Sequence, residues 1–186
     1  DSHVLSGVAV ALPLLVGLLA GLHLLVGSTT SVVDALAEAT AGLTTTALGA
    51  IEPAGSDHGL RFLRAATQWA GGLGALFVGV AILPFFGAGR EFADRSRIRG
   101  RRPMTPTQRT ALRNILIVYG TASVATWLAY AVAGLSIFDA LLVAMATVST
   151  GGMVDGDPFA RPAVQWVAVG GMVVAGTSLV VLWRLA

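Results

Sequence analysis

The sequence predicts an all-α membrane protein made of two tandem repeats. Each repeat is a spanning helix, a short re-entrant helix with an irregular return, and a second spanning helix. Three observations predict this. The 186-residue chain is 55% hydrophobic and 12% charged, with a mean hydropathy of +0.77, too apolar for a soluble domain of its size. Its apolar residues gather in four runs, near 4–26, 60–86, 111–133 and 163–183, each long enough to cross a ~30 Å hydrocarbon layer as a helix. Two shorter stretches between these runs repeat one another: 31–48, SVVDALAEATAGLTTTAL, and 136–153, SIFDALLVAMATVSTGGM. They align without a gap, Ser31 with Ser136, Asp34 with Asp139, Ala35 with Ala140, Ala39 with Ala144 and Thr45 with Thr150, at a constant offset of 105 residues.

The first run, 4–26, is too long for a signal peptide and has no basic leading segment, so it is expected to span. Pro13 is expected to bend it, and His23 near its far end is expected to be an interfacial or packed residue rather than a ligand. A helix of about three turns should then cover 31–42, because Ser-x-x-Asp supplies a capping hydroxyl and an acid at the positive helix end. Asp34 and Glu38 form an i, i+4 acidic pair there, expected to face water as solvated groups and as an attractive mouth for cations. The run Thr44-Thr45-Thr46-Ala47 is irregular backbone, tolerable at membrane depth only where protein buries it or it lines a water-filled path. A polar excursion at 49–59 carries Glu52, Pro53 and Asp57. The second span begins at Arg61 and Arg64, and Gly71, Gly72 and Gly74 should let another helix approach closely before Pro84 and Gly87 close it. Thr105-Pro106 is a start signal for the third span. The second short helix follows, then Ser149-Thr150-Gly151-Gly152, a loop with Asp155, Asp157 and Pro158, and the fourth span with Arg184 behind it.

The charges set the expected topology. All 12 basic residues are Arg, and eight of them (Arg90, Arg95, Arg97, Arg99, Arg101, Arg102, Arg109 and Arg113) fall in one segment. Asp34, Glu38, Glu52, Asp57, Asp139, Asp155 and Asp157 fall on the opposite side of the spans. The Arg-rich side is the cytoplasmic one, so both termini should be cytoplasmic in the cell membrane. The repeats then occupy 1–86 and 109–186, joined by a cytoplasmic Arg-rich linker at 87–108. The pI near 9.9 reflects that cluster, so membrane lipid is an expected partner and nucleic acid is not. Without cysteine there is no disulfide, thiolate or Cys-ligated metal, and His3, His23 and His58 are too scattered for a catalytic or metal-ligating set. No enzyme is expected. The sequence begins without Met, its four Met being Met104, Met145, Met153 and Met172, and is expected to be an excerpt of a longer chain.

A short helix entering the membrane, followed by extended Thr/Gly backbone, offers carbonyl oxygens to a dehydrated cation. Glycine lets successive carbonyls turn toward one axis, threonine adds hydroxyl oxygen, and the negative helix ends favour positive charge. Neither run contains a carboxylate with which to build a divalent cage, which points to monovalent ions. A purely structural pair of re-entrant turns is the competing reading.

At these residues the chain resembles the Trk/Ktr/HKT superfamily of potassium and sodium transporters, in particular the membrane subunits of the bacterial Trk potassium uptake system. The resemblance runs through DALAEATAGLTTT at 34–46, RAATQWAGGLG at 64–74, AILP at 81–84, Met104-Thr105-Pro106, FDAL at 138–141 and TVSTGG at 147–152. It implies that each repeat is a helix–pore-helix–filter-loop–helix unit and that four units surround one ion path. By that resemblance the selectivity filter is contributed by Thr44, Thr45, Thr46 and Ala47 in the first unit and by Ser149, Thr150, Gly151 and Gly152 in the second, with K+ or Na+ at these residues. It also implies a cytoplasmic nucleotide-binding regulatory partner. The Arg-rich linker would meet either that partner or anionic lipid headgroups.

The chain departs from the family in two ways. The filter glycine of the first unit is Ala47, where a Cβ costs about 1 kcal/mol if φ is positive. In the family, losing that glycine goes with a weaker preference for potassium over sodium. There are also two units where a pore needs four, so the rest lies on further chain or on a second copy in a homodimer. The expected function is potassium transport with no covalent cofactor. The alternatives are a sodium-permeable or weakly selective transporter and a non-conducting structural subunit, against which the intact Thr/Gly pattern of the second loop weighs.

Overall fold

In a computed structural model the described residues are 2–49, 57–82, 108–154 and 156–176. Among them the chain is all-helical, with no strand. The helices are α1 (Ser2–Leu25), α2 (Val32–Leu43), α3 (His58–Ile82), α4 (Gln108–Val132), α5 (Ile137–Val148) and α6 (Pro162–Gly176), with a 3₁₀ turn at Pro158–Ala160. Glu52, Pro53, Pro84, Gly87, Thr105-Pro106, Asp155, Arg184 and the Arg-rich linker up to residue 107 lie outside the described residues.

Among the described residues, two helices are long and apolar enough to cross a membrane, over Ser6–Leu25 and Leu112–Val132. Both turn apolar side chains outward, with Leu14 68%, Leu18 71% and Val132 89% exposed, and Trp166 of α6 is 75% exposed. Apolar surface on this scale suits hydrocarbon rather than water. At 25 residues, α3 is of comparable length. Pro13 lies inside α1, and His23 is buried at 1% exposure, as expected of a packed residue, with Nδ1 3.1 Å from Ser28 Oγ.

The short helices α2 and α5 have 12 residues each, about 18 Å, too short to span. Each begins at the cap its sequence signals: Ser31 Oγ accepts the Asp34 N–H at 3.2 Å, and Ser136 Oγ accepts that of Asp139 at 3.1 Å. Alanines one turn apart let both short helices press onto their neighbours. Ala35 and Ala39 pack with Ala20 against Val16, Leu19 and Leu24 of α1. Ala140 and Ala144 pack with Val143, Tyr130 of α4, and Val164 and Ala168 of α6.

Helix α3 runs between the two short helices and touches both. A Cβ on Gly71 would stand 2.1 Å from the carbonyl oxygen of Leu43, the last residue of α2. A Cβ on Gly72 would stand 2.8 Å from the Tyr119 hydroxyl and 3.0 Å from Cβ of Ser149, the C-cap of α5. Adjacent residues on a helix project about 100° apart, so the ends of α2 and α5 meet α3 at one level from different sides. Gly74, in contrast, has nothing within 4 Å of its Cβ position, so the close approach expected of all three glycines belongs to Gly71 and Gly72.

Gly71→Ala and Gly72→Ala are therefore expected to destabilise the protein by about 1–3 kcal/mol or more through overpacking. Gly74→Ala should be neutral or raise stability by up to about 1 kcal/mol, the helix propensity gained by replacing glycine. Thermal unfolding of the three variants in one detergent checks the contrast.

Candidate functional site

The site is built where α2 and α5 stop. After α2, the Thr44, Thr45 and Thr46 N–H groups return to the helix, donating to Thr40 O at 2.9 Å, Gly42 O at 3.1 Å and Ala41 O at 3.0 Å. After α5 the same pattern recurs 105 residues later: Ser149 to Met145 O at 3.1 Å, Thr150 to Thr147 O at 3.1 Å and Gly151 to Ala146 O at 3.0 Å. This is the Schellman termination, which consumes the last helical carbonyls. In a trans peptide the carbonyl lies opposite the following N–H. With the N–H groups of 45 and 46, and of 150 and 151, turned back into the helix, the carbonyls of Thr44, Thr45, Ser149 and Thr150 turn away from it.

The termination needs left-handed backbone, and at both ends a threonine adopts it, Thr45 with φ +54° and Thr150 with φ +55°. Two residues on, Ala47 has φ +61° and its counterpart Gly152 has φ +73°. The Cβ penalty anticipated for Ala47 therefore falls on a residue that is in fact left-handed. β-Branched residues seldom adopt this conformation, and each such position holds about 1–3 kcal/mol of strain. Thr44, Thr46, Ala47, Thr150 and Gly152 are exposed, Thr45 is half-buried, and Ser149 and Gly151 are buried. Thr44 donates its hydroxyl to Thr40 O at 2.7 Å, so Thr46, 2.7 Å away, donates to Thr44 Oγ1 and keeps its own oxygen lone pairs free of that bond.

Helix α3 braces both short helices with charge. The Arg64 side chain donates through Nε to Glu38 Oε1 of α2 at 2.5 Å, with exposures of 4% and 1%. The Cβ position of Gly49 is 3.1 Å from Glu38 Oε2, so the chain beyond the first loop lies against this pair. Glu38 thus does not face water as its spacing from Asp34 suggested: a buried carboxylate takes an arginine partner because an isolated charge there is prohibitively costly. Arg61 pairs with Asp139 of α5 at 2.5 Å. Hydrogen bonds from Ser136 and then Arg61 hold the Asp139 carboxyl below its ordinary value.

Sequence reading missed a role for Gln68. Fully buried on α3, it donates Nε2 to Met153 O at 3.0 Å and accepts the Met153 N–H at Oε1, also at 3.0 Å. Its signal was present: Arg64, Gln68 and Gly71-Gly72 fall on one helical stripe, polar and small where a packed face is usually apolar. Behind the stripe, Tyr119 of α4 donates to Trp69 O at 2.9 Å and Trp69 donates to Ser123 Oγ at 2.9 Å.

No protein-family model matches the chain. Over 125 residues, 64% of its length, it is 37% identical to the Trk system potassium uptake protein TrkH of Halomonas elongata. Over 128 residues, 66% of its length, it is 35% identical to TrkH of Escherichia coli K12, and over 124 residues it is 32% identical to TrkG of the same strain. Each match occupies 26% of the relative, so the chain spans about a quarter of the length of the curated relatives it matches. These relatives are named as uptake proteins and not as enzymes.

Breaking the buried pair by Glu38→Gln is expected to cost about 3–5 kcal/mol, and the double variant Glu38→Leu with Arg64→Met to recover most of that loss. Unfolding in detergent measures both. A carboxyl with a depressed folded-state pKa contributes stability that is present above its unfolded value and lost as pH falls through the folded one. Stability should therefore fall below pH 3.8, the ordinary Asp value, with a part that disappears in Asp139→Asn; pH-dependent unfolding of the two proteins tests it.

Proposed function

Since the chain is a homologue of the Trk system potassium uptake proteins over about two thirds of its length, we propose that it carries potassium across the cytoplasmic membrane as half of a four-unit pore. In this reading 1–86 and 109–186 are two helix–pore-helix–filter-loop–helix units joined by the linker 87–108, with α2 and α5 as pore helices. Thr44, Thr45, Thr46 and Ala47, with Ser149, Thr150, Gly151 and Gly152, line the ion path. The observation that carries the proposal is the matched pair of helix ends, with left-handed residues at 45 and 47 and again at 150 and 152, meeting at one level of α3.

Chemically, carbonyls turned away from two negative helix ends replace the hydration shell of a monovalent cation, and the membrane potential drives it inward. Two further units complete the ring, on further chain or on a second copy of this one. Both termini and the Arg-rich linker face the cytoplasm, where the linker meets a nucleotide-binding regulatory subunit or anionic lipid. A second reading, sodium permeation or weak selectivity, is favoured by Ala47, because its Cβ occupies a left-handed position that its counterpart Gly152 fills without one.

Flux of rubidium, as a potassium stand-in, and of sodium into liposomes tests the proposal, with Ala47→Gly alongside. Rubidium uptake exceeding sodium and maintained or raised by Ala47→Gly is the expected result. The glycine should also raise stability by about 1 kcal/mol through relief of strain. Sodium uptake that falls in Ala47→Gly assigns sodium permeation to Ala47. No flux of either ion from folded protein overturns transport by this chain alone and leaves the structural role.

A further inference from the structure

We infer that Gln68 is a positioning residue that fixes the second loop and thereby sets the ratio of potassium to sodium taken up, an inference that rests on the transport reading above. Its carboxamide grips one residue at two points, taking the N–H and giving to the C=O of Met153, both at 3.0 Å. Met153 directly follows Gly152, and a Cβ on Gly151 would come within 2.2 Å of Gln68 Oε1, so the loop lies flush against the amide. The peptide planes on both sides of Met153 are thus held from α3, which belongs to the other repeat. That grip opposes relaxation of the strained Thr150. At the matching place in the first loop stands Leu48, which is 75% exposed. A neutral amide of this length does both jobs. An ionised glutamate accepts but cannot donate, and methionine of similar shape does neither.

The test uses the whole chain in lipid bilayers with Gln68→Glu and Gln68→Met, reading amide hydrogen exchange over 149–154 and the uptake of rubidium and sodium. In Gln68→Met, exchange at Met153 should quicken about tenfold and the rubidium-to-sodium ratio fall about fivefold, as expected for the loss of one to two hydrogen bonds. Gln68→Glu, which keeps the acceptor, should show the same changes to a smaller degree. A merely structural role would lower both fluxes together and leave their ratio unchanged. Unchanged exchange at Met153, or faster exchange with an unchanged ratio, overturns the inference. If the wild-type chain passes neither ion, the transport reading fails by itself and exchange in potassium against sodium decides the role of Gln68. Slower wild-type exchange in potassium, lost in Gln68→Met, supports it, and equal exchange in the two media overturns it.

Discussion

Glu38 and Arg64 are withdrawn from water together, and neither tolerates the loss of the other. That requirement sets how α3 is turned against α2. Counting along the helix from Arg64, residues four, seven and eight further on lie on the same stripe. They are Gln68, Gly71 and Gly72, the three that meet Met153, Leu43 and Ser149. A rotation of α3 that spoiled the ion pair would also lift the amide from the second loop and the bare glycine backbone from the two helix ends. The charge pair, the amide grip and the close approaches are therefore one arrangement, keyed by the contact that costs most to break.

What α3 holds in place is strained. A helix that ends in a Schellman turn usually ends in glycine, yet both short helices turn at a threonine. Each turn consumes the N–H groups of the loop and leaves its carbonyls directed away from the helix. The strain and the carbonyl orientation have one cause, the left-handed residue, and the packing of Gly71 and Gly72 against the helix ends is what can sustain it. The two loops are held differently: the second is gripped by Gln68, whereas the first has Gly49 against the ion pair and exposes Thr44, Thr46 and Ala47.

The short helices differ in the same sense. Helix α5 is packed among α3, α4 and α6 and buries most of its length, while α2 rests on α1 and α3 and leaves Val32, Val33 and Leu36 exposed. With the outward leucines of α1, this exposes much apolar surface among the described residues, while Arg64, Thr67 and Gln68 of α3 are buried inside. In a lipid-facing protein the inside is where hydrogen bonds and small residues decide association.

The sequence by itself determined the helical class, the starts of the two short helices and the pairing of their stops, because these depend on local chemistry. An apolar run must be helical in hydrocarbon, Ser-x-x-Asp caps its own helix, and a constant offset of 105 residues matches one loop to the other. Even the cost at Ala47 was visible in that alignment. The partners of Glu38, Asp139 and Met153 could be decided only by the tertiary structure. Each lies on another element, 26, 78 or 85 residues from the group that holds it. The stripe that gathers those groups is polar and small, so apolar periodicity does not reveal it, and acids spaced i, i+4 read as a solvated face until a neighbouring helix brings an arginine into the interior.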